Sequence, residues 1–362
     1  MKLIWRFIRP HWKLFTLTVL LLVIDVAGSL LIPTLAAQML NLGISAHSFQ
    51  KLIETGLWMA AASLVSGICA ILGGYACAAL SARVGQDMRV AVYDKSLKLS
   101  VYDFRQFGTA SITTRTISDI TNIQMALTSF IQMVLPVPVI IVLAVILTFN
   151  LDVQFGFVLL CAVAAVLILA LFIMRSASPL FRKLQKLLDR MSKILLENIT
   201  GVRVVRAFNN EQREETRLNE SFSSYAKTSI KANRLFANLD GLSFFFINLL
   251  IVVIYWMSGG HISSGILQIG DITAVIEYAM IVLFFIMMAQ MVIMTMPRAL
   301  ECCSRVQNVL DHSPEIVDYV NADPQIDEKN NQVLAFDHVT FRFADAEEDT
   351  LFDLNFTCRR AQ

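Results

Sequence analysis

Six stretches of this 362-residue chain run for 18 residues or more with at most one charged side chain. That scarcity constrains the fold more than any motif, because a helix needs about 20 mostly apolar residues to cross roughly 30 Å of hydrocarbon. The stretches are Leu14 to Gln38, interrupted by Asp25 alone; the segment between Glu54 and Arg83; Thr128 to Phe149; Val153 to Met174; Leu242 to Gly259; and Ile272 to Met296, which carries Glu277. The third and fourth flank a short turn at Asn150–Leu151–Asp152. Hydrophobic residues make up 56% of the chain and charged ones 16%, against about 45–50% and about 25% in ordinary soluble domains. A water-soluble single domain and a disordered chain are both excluded.

Basic residues orient the spans. Of 30 Lys and Arg, 29 fall in the N-terminal tail, the connections after spans two and four, and the C-terminal tail; Lys51 alone lies on the other side. By the positive-inside rule both termini are expected in the cytoplasm. The first apolar run is longer than the core of a cleavable signal. Cys69, Cys77 and Cys161 fall within spans and Cys302, Cys303 and Cys358 on the basic side, so no disulfide framework is expected. The five His are too scattered to suggest a metal site.

The two long cytoplasmic connections, about 50 and 70 residues, are not loop-like. In the second, Leu184, Leu188, Met191, Leu195, Ile199, Val202 and Val205 recur at spacings of three and four, which is helical periodicity. The spacing predicts that spans two to five continue as helices well beyond the bilayer, by roughly 30 Å for 20 residues. Residues 1–13 read as an interfacial helix, with Trp5, Phe7, Ile8 and Trp12 alternating with Lys2, Arg6, Arg9 and Lys13. Residues 14–310 hold the six spans, and 311–332 read as a linker. From 333 to 362 the pattern turns strand-like: Val339, Phe341 and Phe343 on one face, then Phe352, Leu354, Phe356 and Cys358 after an acidic turn. Two strands cannot bury a core alone, so residues 333–362 are expected to open a domain that the chain does not finish.

At this point the residues resemble a known family. Six spans, two long cytoplasmic arms and a tail opening a mixed domain are similar to the membrane half of a type I ABC exporter. The stretch from Glu197 through Gly201, Val205, Arg206 and Phe208 to Glu211 is similar to that family's second intracellular-loop signature. Met88–Arg89, Asp103–Phe104, Gly108, Arg115 and Asp119 match its first, Arg298, Arg305 and Leu310 match the helix leaving span six, and Phe336 to Phe343 looks like the first strand of a nucleotide-binding domain. The subfamily most similar is that of bacterial heterodimeric multidrug exporters.

The resemblance implies an all-α membrane fold of six transmembrane helices with long cytoplasmic extensions, followed by the first β-strands of a truncated α/β nucleotide-binding domain. It implies a bacterial plasma-membrane protein that pairs with a second half-transporter, homo- or heterodimeric, in membrane lipid. Nucleotide-binding domains, with ATP and Mg²⁺, would drive export of a small hydrophobic or amphipathic substrate; a lipid flippase or a peptide exporter is the alternative within the family. A six-span channel or secondary transporter is the alternative from another class, and the helical arms and strand-bearing tail argue against it. Nucleic acid is not among the implied partners. No G-x-x-x-x-G-K-[ST] loop occurs in the sequence, and phosphoryl transfer needs such a cradle.

Candidate site residues follow. By resemblance, short helices at about 101–107 and 207–214 would couple the arms to the nucleotide-binding domains, using Tyr102, Asp103, Phe104, Phe208 and Glu211, and Phe343 would stack on adenine. Asp25 and Glu277, acids within spans, and Met280, Phe284, Met287 and Met291, at helical spacing on span six, are candidates for a substrate cavity: an intramembrane acid normally faces a cavity or a partner, and thioethers adapt to varied apolar guests.

Overall fold

The computed structural model describes residues 2–45, 49–263, 268–314, 332–342 and 346–359. Ten helices and one hairpin are found among them: α1 (Lys2–Ile8), α2 (Trp12–Ser45), α3 (Phe49–Leu97), α4 (Val101–Phe107), α5 (Thr109–Thr114), α6 (Ile120–Ser129), α7 (Pro136–Leu151), α8 (Val153–Ala207), α9 (Glu211–Ser263), α10 (Ile269–Asp311), and strands β1 (Gln332–Phe341) and β2 (Leu351–Arg359). Wide π-helical turns join α5 to α6 at Arg115–Asp119 and α6 to α7 at Phe130–Val134. Six helical segments are long and apolar enough to cross a membrane; five contain the stretches singled out by charge, and the sixth, Ile269–Val292, covers most of the stretch from Ile272 to Met296.

Two compact units divide the chain. The larger comprises Ile8–Val84 and Gln124–Arg298 and holds the membrane-spanning parts. Its core is continuous: Leu30, Ile140, Phe155, Leu159, Val166, Ile254, Tyr278 and Val282 are fully buried in one cluster. Polar contacts between helices help to pin this apolar mass. Thr34 Oγ1 and Tyr278 Oη are 2.6 Å apart. Asn41 donates to Asp271 (3.0 Å) and accepts from the Gly270 N–H (2.8 Å). The turn expected at 150–152 is tighter than anticipated: α7 runs through Leu151, and only Asp152 is extended. Its carboxylate accepts from the backbone N–H groups of Gln154 and Phe155, so one residue both reverses the chain and caps α8.

Spans one and two approach closely at Gly28. A Cβ there would lie 2.7 Å from Ser66 Cβ, nearer than van der Waals contact allows; small residues permit such approach between membrane helices. Gly28→Val is therefore expected to wedge α2 from α3 at a cost of about 1–3 kcal/mol. An unchanged melting midpoint of the purified protein by scanning fluorimetry would refute this.

α8 continues unbroken from its apolar half through Arg175 to Ala207, a polar extension of roughly 50 Å and longer than the 30 Å expected. α9 returns beside it, and the pair shares a buried contact of Ala170, Ile173 and Leu239.

The smaller unit comprises Met1–Phe7, Gly85–Ile123 and Ala299–Gln362. It contains α4, α5, the first π-helical turn, the end of α10 and the hairpin. Met88, Val92, Ile120, Cys302, Val306 and Val309 are fully buried. β1 and β2 are antiparallel, with Phe336 and Phe356 stacked at 4.6 Å. The expected strict alternation fails midway. His338 and Asp353 both take positive φ (49°), and the register slips between Phe336 and Val339. His338 Nδ1 and Asp353 Oδ1 lie 2.6 Å apart. Leu334, Phe341, Leu351, Phe352 and Phe356 remain exposed on this hairpin.

Candidate functional site

The first arm tip is built around a capping box. Ser100 ends the approach from α3 in an extended conformation; its Oγ accepts the Asp103 N–H and its own N–H donates to Asp103 Oδ2, each at 3.1 Å. This satisfies donors that a helix start leaves unpaired. At the other end Gly108 takes φ 77°, closing α4 and letting α5 start in a new direction. A short helix therefore forms where the resemblance places one.

Its residues do not all point outward. Asp103 is 3% exposed, and its second oxygen, Oδ1, lies 2.9 Å from His312 Nε2 just beyond α10. The His312 ring meets Phe107 edge-on at 5.0 Å, and the Arg115 guanidinium stands 5.1 Å from the centre of the same ring, a cation–π geometry. Phe104 is half-buried, and Tyr102 lies in the first turn of α4. Asp103 thus holds the tip to α10 instead of being presented to solvent. The Ser100-x-x-Asp103 capping pattern is visible in the sequence; nothing local signals His312 as its partner.

A second pairing lies nearby. Arg305 on α10 grips Asp119 with two bonds, Nη2 to Oδ1 at 2.6 Å and Nε to Oδ2 at 2.8 Å. Asp119 sits in the first π-helical turn and is 2% exposed. Glu301 adds a contact to Arg305 at 3.1 Å. The bond to Asp119 holds the guanidinium proton still more firmly than usual, whereas burial pushes the neighbouring Cys302 thiol up. Among the described residues, Arg115 Nε and Nη1 are buried without a hydrogen-bond partner.

The second arm tip corrects the expectation of a short helix at 207–214. α8 ends at Ala207 and α9 begins at Glu211, leaving a three-residue turn. Asn209 takes φ 50°, a conformation Asn tolerates better than most residues, so the reversal needs no helix of its own. Phe208 is 74% exposed at this tip. Glu211 and Glu214 occupy the first turn of α9, where acidic side chains favour the helix dipole. Arg217 links Glu197 on α8 (3.0 Å) to Glu214 (3.4 Å).

The substrate-cavity candidates fall in two places. Asp25 lines a cleft of about 260 Å³, where Ser66 Oγ donates to its Oδ1 at 2.7 Å. Glu277, Met280, Phe284 and Met291 are exposed along one outer face of α10, with Met287 half-buried beside them. Tyr278, Val282 and Ile286, on the opposite face, enter the core. Periodicity identified a face; the structure shows that this face is turned away from the chain's own core.

Phe343 lies outside the described residues. The residues present do not fit ATP with Mg²⁺: the sequence has no G-x-x-x-x-G-K-[ST] loop, and among the described residues no group of three His, Cys, Asp or Glu is placed to hold a metal.

Comparison with known proteins places this architecture. The chain is 25% identical over 359 residues to an uncharacterized ABC transporter ATP-binding protein of Mycobacterium tuberculosis (strain CDC 1551 / Oshkosh), covering 99% of this chain and 62% of that protein. It is 21% identical over 356 residues to a multidrug resistance ABC transporter ATP-binding and permease protein of Lactococcus lactis, covering 97% and 58%. It is 22% identical over 284 residues to an ATP-dependent lipid A-core flippase of Thiobacillus denitrificans, covering 77% and 48%. The chain therefore spans less than two thirds of the length of these relatives. The ABC transporter transmembrane region family matches residues 15–287. With six apolar helices, two of them prolonged into a long paired arm, this chain is a multi-pass membrane protein that belongs to the ABC transporter transmembrane region family.

Proposed function

We propose that the chain is the membrane-spanning half of an ATP-driven exporter of hydrophobic or amphipathic compounds. It would sit in a bacterial plasma membrane with both termini cytoplasmic, as the 29-to-1 split of basic residues supports. Two such halves would form a twelve-span dimer that alternates between inward- and outward-open states. The observation that carries this reading is the pair of shaped arm tips. One bears a capped helix fastened to the end of α10 through Asp103 and His312; the other bears an exposed Phe208 on a tight turn.

An aromatic at a rigid tip is suited to anchor in a partner's pocket, with charges such as Glu211 setting register. The partner of this chemistry is a nucleotide-binding domain, whose closure would rotate the arms. The exposed Phe and Leu side chains of β1 and β2 fit an opening strand pair that more of the same domain covers, and Phe343 would contribute an aromatic face toward adenine there. The exposed Met and Phe face of α10 would line a cavity shared with the second half.

The test is uptake of a lipophilic cationic dye into inside-out vesicles carrying the full-length protein. ATP-dependent accumulation is expected, and none is expected with a non-hydrolysable analogue; equal accumulation with both would refute ATP-driven export. A second reading, lipid flipping, is favoured by the relatives named as lipid A-core flippases. ATP-dependent movement of labelled lipid without dye transport would select it.

A further inference from the structure

The cleft around Asp25 lies within a single subunit and is separate from the outer Met and Phe face of α10. Five elements frame it: Thr18 and Asp25 from α2, Cys69 and Gly73 from α3, Gln132 from the second π-helical turn, Pro136 from the start of α7, and Phe285 from α10. Each has a local reason to be there. Asp25 falls about two helical turns beyond Thr18, and so on the same side of α2. Gly73 removes a side chain where α3 passes Leu21, so a Cβ would already be in contact there. The π-helical turn inserts an extra residue into span three and turns Gln132 into the cleft; such turns gather at functional sites.

Charge points to the class of ligand the cleft suits. Asp25 accepts one side-chain bond, from Ser66 to Oδ1; Oδ2 has no hydrogen bond among the described residues. Among the described residues no Lys, Arg or His lines the cleft. A carboxylate at membrane depth is costly without a partner. The remaining lining is apolar, aromatic or weakly polar, and the volume, about 260 Å³, is below the usual range for drug-sized ligands, about 300–1,000 Å³.

We infer that this cleft binds a small lipophilic amine, with its ammonium donating to Asp25 Oδ2 and its apolar body against Phe285. A large dye does not fit it. The inference deepens the export reading by naming a ligand class and a place in one subunit, and equilibrium binding tests it without nucleotide or transport.

The probe is 4-fluorobenzylamine, followed by fluorine NMR with the full-length protein in lipid nanodiscs, against its neutral isostere 4-fluorobenzyl alcohol. The amine is expected to bind about tenfold or more tightly than the alcohol, the size of a hydrogen bond to a charged group. Asp25→Asn should erase that preference. Glu54→Gln, an exposed acid near the start of α3, should leave it intact. Ala70→Trp fills the cleft while keeping the acid and should remove amine binding, so the inference stays testable even where Asp25→Asn fails to fold. Equal binding of amine and alcohol, retention of the preference in Asp25→Asn, or amine binding that survives Ala70→Trp would each overturn it. Lost transport with the amine preference intact would count against the export reading alone; lost preference with transport intact would count against this site alone.

Discussion

Arg305→Ala is expected to destabilise the protein by about 3 kcal/mol, the lower end of the cost of stripping the partner from a buried charge. The reason is asymmetry. Asp119 is 2% exposed while the Arg305 side chain is 41% exposed, so removing the arginine strands a carboxylate in the protein, whereas removing the acid leaves a guanidinium that water can reach. Asp119→Ala should therefore cost less than Arg305→Ala, and the double variant should recover part of the loss. Arg305→Lys should fall between, because an ammonium cannot make the two parallel bonds of 2.6 and 2.8 Å. Glu301→Ala should cost at most about 1 kcal/mol, since that side chain is 69% exposed. Urea titration or scanning fluorimetry of the five variants ranks them. Finding Asp119→Ala as costly as Arg305→Ala would remove the desolvation argument.

Much of this architecture was legible in the sequence, for a physical reason. Whether a segment can sit in hydrocarbon depends on its own side chains, so scarcity of charge marked all six spans, and the three-and-four spacing from Leu184 to Val205 marked the arm that α8 forms. Quantities set by distant partners were less legible. Asp103 read as a charge at a tip; its burial follows from His312, 209 residues away. The stripe from Met280 to Met291 read correctly as one helix face, but periodicity cannot say whether a face turns toward the core, and this one turns away. The second tip is expected as a helix by resemblance alone; Asn209, able to take positive φ, makes it a turn. The strand alternation broke for a similar reason, at His338 and Asp353.

The largest functional effect is expected at Asp103, because α4 has seven residues and a helix of that length is not stable by itself, the threshold in water being about 12–15 residues. Its order comes from its ends. Asp103→Ala removes the acceptor for the Ser100 N–H and the partner of His312 in one step. Two bonds worth about 1 kcal/mol each shift the balance between formed and frayed α4 by roughly 30-fold. Under the coupling role proposed for this tip, ATP-dependent efflux by the full-length protein should fall by about tenfold or more, while ATP hydrolysis continues, because the motor would turn without a rigid lever. His312→Ala keeps the capping box and should lose less than Asp103→Ala. Ser100→Ala removes the other half of the box and should resemble His312→Ala in size. Efflux and hydrolysis measured on the same vesicles decide it: if Asp103→Ala lowers both in proportion, or neither, α4 does not couple them.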